Sequence, residues 1–310
     1  MTFDGRIRAD ARHLPIADES IQCVVTSPPY FGLRDYGNAG QIGLEKTPDE
    51  YVAALLEAFA EVWRVLKPDG TLWLNLGDSY ATGGGSVGRA PGGGAQGERF
   101  IRAGMTGTQP NRMPLPGLKP KDLIGIPWKV AFALQSRGWY LRSDIIWAKP
   151  NPMPESVTDR PTRSHEYIFL LTKSERYYYD ADSIKEAATD SGRDNGRDGR
   201  AEESGARPPN TRARTLARID YSERGRNKRS VWTVSVSKYS EAHYATFPPA
   251  LIEPCILAGS RTGDSVLDPF AGTGTVAMVA EKHSRRGLSI DLGYQDLQKQ
   301  RLTNLQKVLA

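Results

Sequence analysis

The chain is poor in the residues that build disulfides and metal centres, with two cysteines and four histidines among 310 residues. Cys23 and Cys255 lie far apart, lack a CxxC partner and sit in apolar stretches. This predicts buried, reduced thiols and a cytoplasmic location, and excludes a disulfide framework. His13, His165, His243 and His283 show no ligand spacing, so no metal is expected. No apolar run reaches the ~20 residues of a membrane span, and the first residues carry no signal-peptide core. No membrane partner is expected. Internal repeats are also absent.

What is present is an ordinary globular mixture, 39% hydrophobic and 25% charged, enough for one large domain or two small ones. The net charge is only +5, but it is unevenly placed. Arg207, Arg212, Arg214, Arg218, Arg224, Arg226, Lys228 and Arg229 face only Asp220 and Glu223 in their window. That window outweighs the whole net charge and leaves the rest of the chain near neutral. A basic segment on a neutral body suits a phosphate backbone, because each neutralised phosphate releases counterions. The alternative is a solvated charge run.

Short apolar stretches alternate with amphipathic ones, which predicts an α/β sheet. Strands are expected at 21–26, 71–76, about 141–147, 167–171, 265–268 and 287–290. A helix should start after Thr47, with Glu50 completing a capping box and Pro48 in the first turn. Leu55, Phe59, Val62 and Leu66 share its apolar face, and Lys67–Gly70 should end it. Further helices are expected at about 126–137, stopped by Gly138, at 249–258 with a kink at Pro254, and after Gly274. Two segments break the rhythm. Between Thr82 and Gly97, eight of sixteen residues are glycine, which reads as a mobile loop, either a lid or a tolerated insertion. The second, roughly 190–229, is rich in Arg, Gly, Asp and Ser.

Residues Val266–Thr275 read as a strand, a glycine turn and a helix start. Gly272 and Gly274 let backbone pass close to a ligand. Asp268 stands at the strand's end and Asp291 at the end of the next, about 20 residues beyond Gly272, the spacing of an acid that binds ribose hydroxyls. A dinucleotide fingerprint would need a third glycine, and a phosphate loop would need a lysine after Gly274. Both are lacking, and Asp268 would repel a pyrophosphate. A ligand with a ribose, a cationic centre and an amino-acid tail fits better, and S-adenosyl-L-methionine is such a ligand.

Thr26–Tyr30, with Ser27, Pro28, Pro29 and Tyr30, is the most specific feature. The exocyclic amine of a nucleobase is a poor nucleophile, because its lone pair is delocalised into the ring. Acceptors aimed at its two N–H groups localise that pair. Ser27 Oγ and the Pro28 carbonyl suit this task, the Pro28-Pro29 pair stiffens the backbone, and Tyr30 offers a face for a base turned out of the duplex.

Together these segments resemble the amino-methylating DNA methyltransferases, which form N4-methylcytosine or N6-methyladenine. Ser27–Tyr30 matches the catalytic motif and Asp268–Thr275 the cofactor motif, in the order of the permuted β arrangement. Asp10-Ala11, Leu66–Asn75, Ile145–Asn151, Arg229–Trp232 and His243–Pro248 match as well, so the likeness spans about three quarters of the chain. Val276, where a second threonine is common, and the Gly83–Gly97 insertion depart from the pattern.

The resemblance implies a seven-stranded, mostly parallel Rossmann-like sheet flanked by helices, with an embedded target-recognition segment. It assigns residues 1–180 to a catalytic half (with a Gly-rich insertion at about 82–120), 181–235 to recognition and 236–310 to S-adenosyl-L-methionine. Asp10, Ala11, Phe247, Pro248, Asp268, Phe270, Gly272, Thr273, Gly274, Thr275 and Asp291 are the implied cofactor residues. Double-stranded DNA is the implied partner. A cognate restriction endonuclease, and the choice between monomer and homodimer, stay open. Serine at the first motif position is typical of cytosine-N4 enzymes, and adenine N6 is the alternative. RNA or protein-glutamine methylation usually pairs Asn-Pro-Pro-Tyr with the opposite motif order. A DNA-binding protein that has lost catalysis would have eroded Ser27, Tyr30 or Gly272.

Overall fold

The computed structural model describes residues 5–33, 40–81, 117–187, 225–236, 247–294 and 298–299. The chain divides into two compact units, residues 1–180 with 229–310, and residues 181–228. In the smaller unit, Asp182–Ile184 form a 3-10 turn, and Glu186 and Arg226 exchange backbone hydrogen bonds of 2.9 Å in each direction.

The larger unit is built on one sheet. Its strands are β1 (Arg6–Arg8), β2 (Ile21–Thr26), β3 (Leu66–Leu76), β4 (Tyr140–Ala148), β5 (His165–Thr172), β6 (Val231–Thr233), β7 (Ser265–Asp268) and β8 (Arg286–Asp291). Their order is β1-β8-β7-β2-β3-β5-β4-β6. All neighbours are parallel except β3–β5 and β5–β4. The sheet is thus the expected mostly parallel type but has eight described strands, where seven were implied. The six strands read from the sequence are all present. The edge strands β1 and β6 have three residues each, too short to show a period.

Helices α1 (Pro48–Val65), α2 (Ile126–Ser136), α3 (Pro249–Gly259) and α4 (Thr275–Lys282) cover the sheet. Strand β2 is buried along its whole length, as a strand covered on both faces must be. Helix α1 packs with α2, and α3 with α4. Right-handed crossovers explain the pairing: β2 to β3 steps one way along the sheet and β7 to β8 steps the other, so α1 and α4 lie on opposite faces. Between β7 and β2 the order reverses. A crevice for ligands opens at such a switch point, beyond the carboxyl ends of the strands.

Thr47 Oγ1 accepts the Glu50 N–H at 3.2 Å, as expected of a cap. Glu50 Oε2 accepts from Lys46 N rather than Thr47 N, so the reciprocal bond falls one residue early. Tyr51, Leu55, Phe59 and Val62 are fully buried, each stabilising the fold by roughly 1.5–3 kcal/mol on the transfer scale. Leu66 corrects the sequence reading, since it leaves the helix and opens β3 beside Ile21. The next pair is Cys23 with Thr71, so Lys67–Gly70 form an irregularity within β3, not a terminator before it. Gly138, at φ 101°, follows α2 as expected, and α3 runs through Pro254. Cys23 and Cys255 are buried, and burial pushes the Cys23 thiol up to about 12.

Candidate active site

Because β1, β8, β7, β2, β3, β4 and β6 run the same way and β5 runs against them, one edge of the sheet gathers seven strand exits and one strand entry. Asp10 follows β1, Asp291 ends β8, Asp268 ends β7 and Ser27 follows β2. Asn75 lies near the end of β3, Lys149 follows β4, and Glu166 lies at the start of β5.

The two motifs singled out in the sequence meet on this edge. Strands β2 and β7 pair Cys23 with Val266 and Val24 with Leu267. Beyond that register, Thr26 Oγ1 donates to Asp268 Oδ1 at 2.7 Å, and the Phe270 N–H donates to the same oxygen at 3.0 Å. Asp268 is only 2% exposed. Burial outweighs these two donors and pushes its carboxyl up to about 7. Asp268 therefore pins the glycine turn to the strand that leads into Ser27.

Beyond Asp268 the turn folds tightly. Ala271 N donates to Ile290 O at 2.9 Å and Gly274 N to Ala271 O at 2.8 Å. Gly272 has φ +46°, with open space where a Cβ would stand, which leaves its backbone accessible. The Asp291 carboxylate accepts from Gly272 N and Gly293 N, both at 2.9 Å. Burial raises its pKa, opposed by those N–H donors. Gln298 Nε2 donates to Gly272 O at 2.8 Å, while its buried Oε1 has no partner among the described residues. Thr273 and Thr275 are buried with their hydroxyls 3.3 Å apart. Phe270 packs edge-on against Phe59.

Other expected cofactor residues sit nearby or at helix starts. Ala9 N donates to Asp291 O at 3.3 Å, bringing Asp10 and the buried Ala11 to the β8 end. The Asp10 carboxylate is gripped by Arg12 through Nε and Nη2, and that side-chain pairing lowers its pKa. Phe247 and Pro248 are buried where α3 begins.

On the catalytic side, Tyr51 Oη donates to the Pro29 carbonyl at 2.8 Å, which fixes the Pro-Pro segment against α1. Pro28 is buried. The Tyr30 ring packs closely at Gly77, where a Cβ would come within 2.6 Å of Cε2. Its hydroxyl meets Glu166 Oε2 at 2.6 Å, Asn75 Oδ1 at 3.2 Å and Ser27 Oγ at 3.4 Å. Asn75 Nδ2 donates to Glu166 Oε2 and to Tyr167 O, and Lys149 Nζ pairs with Glu166 Oε1. Lys149 also stands 4.3 Å from the Trp147 ring centroid. Burial, followed by the adjacent Glu166 charge, holds the Tyr30 phenol well above its ordinary pKa. The site therefore presents a hydroxyl and proline carbonyls beside an acid-edged glycine turn.

Sequence reasoning assigned no role to Thr26, Asn75, Lys149, Glu166 or Gln298. Asn75 and Lys149 lie in segments that match the family pattern. Glu166 gave no signal, because its place depends on β5 entering antiparallel beside β3. Of the basic window, Arg207, Arg212, Arg214, Arg218 and Arg224 lie outside the described residues, as does the 82–97 segment. Arg226 pairs with Glu186 at 3.1 Å, Lys228 is half-buried and Arg229 is exposed.

Comparison with known proteins identifies the family. The family model N6_N4_Mtase, described as DNA methylase, matches residues 21–299. The Type II methyltransferase M.Cfr9I of Citrobacter freundii is 45% identical over 99% of this chain and 90% of its own length. The Type II methyltransferase M.SmaI of Serratia marcescens is 48% identical over 92% of this chain and 85% of its own. Among solved structures, the PvuII DNA methyltransferase (cytosine-N4-specific) superposes with a TM-score of 0.59 at 20% identity, covering 97% of this chain and 90% of that one. A DNA modification methylase of Thermus thermophilus, solved complexed with S-adenosyl-L-methionine, gives 0.56 at 23% identity over 97% and 94%. These two share the fold. With a family model spanning nearly the whole chain and full-length relatives near half identity, the chain belongs to the N6/N4 DNA methylase family and is an amino-methylating DNA methyltransferase.

Proposed function

We propose that this enzyme transfers the methyl group of S-adenosyl-L-methionine to the N4 amine of a cytosine turned out of double-stranded DNA, as the modification arm of a restriction–modification system. The observation that carries this reading is the 2.7 Å bond from Thr26 Oγ1 to Asp268 Oδ1. It joins a segment suited to gripping an amine to a turn suited to a ribose-bearing cation, across adjacent strands.

The residues present fit that cofactor. Gly272 leaves its backbone open, Asp291 stands at the end of β8 beside that turn, and the buried Gln298 Oε1 has no partner among the described residues. Asp10, Ala11, Phe247, Pro248, Phe270, Thr273, Gly274 and Thr275 complete the assigned pocket, with Asp268 as its pin. The bound cofactor supplies an electrophilic methyl group on a cationic sulfur.

Ser27 Oγ and the Pro28 carbonyl accept the two N–H groups of the target amine, which returns its lone pair from the ring to the nitrogen. Pro29, held by Tyr51, keeps this segment rigid. Tyr30 stacks on the extrahelical base. Serine is too weak a base to act before transfer, so the proton leaves to water once the nitrogen is cationic and acidic. Arg207, Arg212, Arg214, Arg218, Arg224, Arg226, Lys228 and Arg229 are assigned to DNA phosphates. Serine at position 27 favours cytosine over adenine.

Expression in a host lacking other methylases, followed by sequencing of its DNA for modified bases, tests this directly. N4-methylcytosine in one motif is the expected result. N6-methyladenine would overturn the choice of base, and unmodified DNA the activity.

A further inference from the structure

The network behind Ser27 carries a second role that rests on the proposed reaction. We propose that Glu166, held by Lys149, is a positioning residue that sets the donor direction of the Tyr30 and Ser27 hydroxyls and so keeps the Ser27 lone pairs available to the target amine.

A hydroxyl has one hydrogen and can point it either way, so a serine beside an amine can face it as donor or as acceptor. Only the acceptor form activates the amine. Nothing in Ser27 itself makes that choice. Around the Tyr30 hydroxyl stand Glu166 Oε2 at 2.6 Å and Asn75 Oδ1 at 3.2 Å. A carboxylate paired with an ammonium only accepts. Asn75 is held with its amide nitrogen toward Glu166 and the Tyr167 carbonyl, which turns its oxygen to Tyr30. The single Tyr30 hydrogen therefore goes to the shorter, charged acceptor, Glu166. What remains on Tyr30 is lone-pair density, and it faces Ser27 Oγ at 3.4 Å. Ser27 must then donate into the network, and its own lone pairs are left for the base.

The surroundings keep this relay in place. Glu166 and Lys149 side chains are only 14% and 18% exposed, so water competes weakly for the pair. Gly77 beside the Tyr30 ring leaves room that a Cβ, 2.6 Å from Cε2, would take from the phenol. A neutral amide in place of Glu166 could donate to Tyr30 as readily as accept, and the direction would be lost.

The test is single-turnover methyl transfer with the full chain and duplex DNA carrying the modification site. It compares wild type, Glu166→Gln, Tyr30→Phe and the double variant, with S-adenosyl-L-methionine and DNA affinities measured alongside. Each single variant should slow transfer about tenfold to a hundredfold, as expected when one charge-assisted hydrogen bond is removed. Both affinities should stay within about twofold, since neither side chain is proposed to select the cofactor or the DNA sequence. The double variant should be no slower than the slower single one. A wild-type rate in either single variant, multiplying effects in the double, or a loss explained by cofactor affinity would overturn the proposal. If Glu166→Gln does not fold, Tyr30→Phe decides alone. Absence of methyl transfer by the wild type would instead overturn the proposed function.

Discussion

At the scale of single residues, the site depends on a few hydrogen bonds whose removal has distinct signatures. Ser27→Ala removes one of the two acceptors proposed for the target amine. Methyl transfer should fall about a hundredfold or more, as when an oxyanion-hole donor is deleted, with cofactor affinity kept in a calorimetric titration. Asp291→Ala strips a carboxylate from the Gly272 and Gly293 amides and from the assigned ribose site. Cofactor affinity should drop about tenfold to a hundredfold. Asp268 predicts a pH dependence. Its folded-state carboxyl is raised to about 7 by burial, so the folded protein holds the proton more tightly than the unfolded chain. Its contribution to stability is present at low pH and is lost as pH rises toward 7. Asp268→Asn keeps an acceptor for Thr26 and Phe270 without the buried charge. Urea unfolding of the cofactor-free protein should show the variant gaining on wild type as pH rises through this window. A constant difference across it would refute the assignment.

At the scale of elements, close packing of backbones decides more than propensity. A Cβ on Gly287 would lie 2.5 Å from Ala277 Cα and 2.7 Å from its carbonyl oxygen, so β8 and α4 touch backbone to backbone. Gly287→Ala must push α4 off the strand that carries Asp291. It should cost about 1–3 kcal/mol in denaturant unfolding, the range for overpacking, and weaken cofactor binding in parallel. The helices and the six longer strands were legible because each spans enough residues to show its period. The three-residue strands β1 and β6 were not, and neither was the start of β3, because an irregularity at Lys67–Gly70 imitates a helix-ending turn.

At the scale of the whole molecule, charge is the property most open to test. The basic window concentrates eight cations in a chain otherwise near neutral. Replacing Arg212, Arg214 and Arg218 with glutamine should weaken DNA binding. The slope of log affinity against log salt should flatten by about 2–3, roughly 0.9 for each phosphate no longer neutralised. An unchanged slope would place the DNA elsewhere.

The sequence by itself determined the chemistry on offer. A serine–proline segment, a glycine turn and an acid at ribose spacing are local patterns, and local backbone sterics make them readable without a partner. Only the tertiary structure decided how these meet. Asp268 and Glu166 are the clearest cases, one an expected cofactor residue that is also bonded to Thr26, the other an unremarked acid joined to Tyr30. Both contacts cross between strands far apart in the chain. Strand order and direction, set by burial of the whole sheet, bring them within hydrogen-bonding distance.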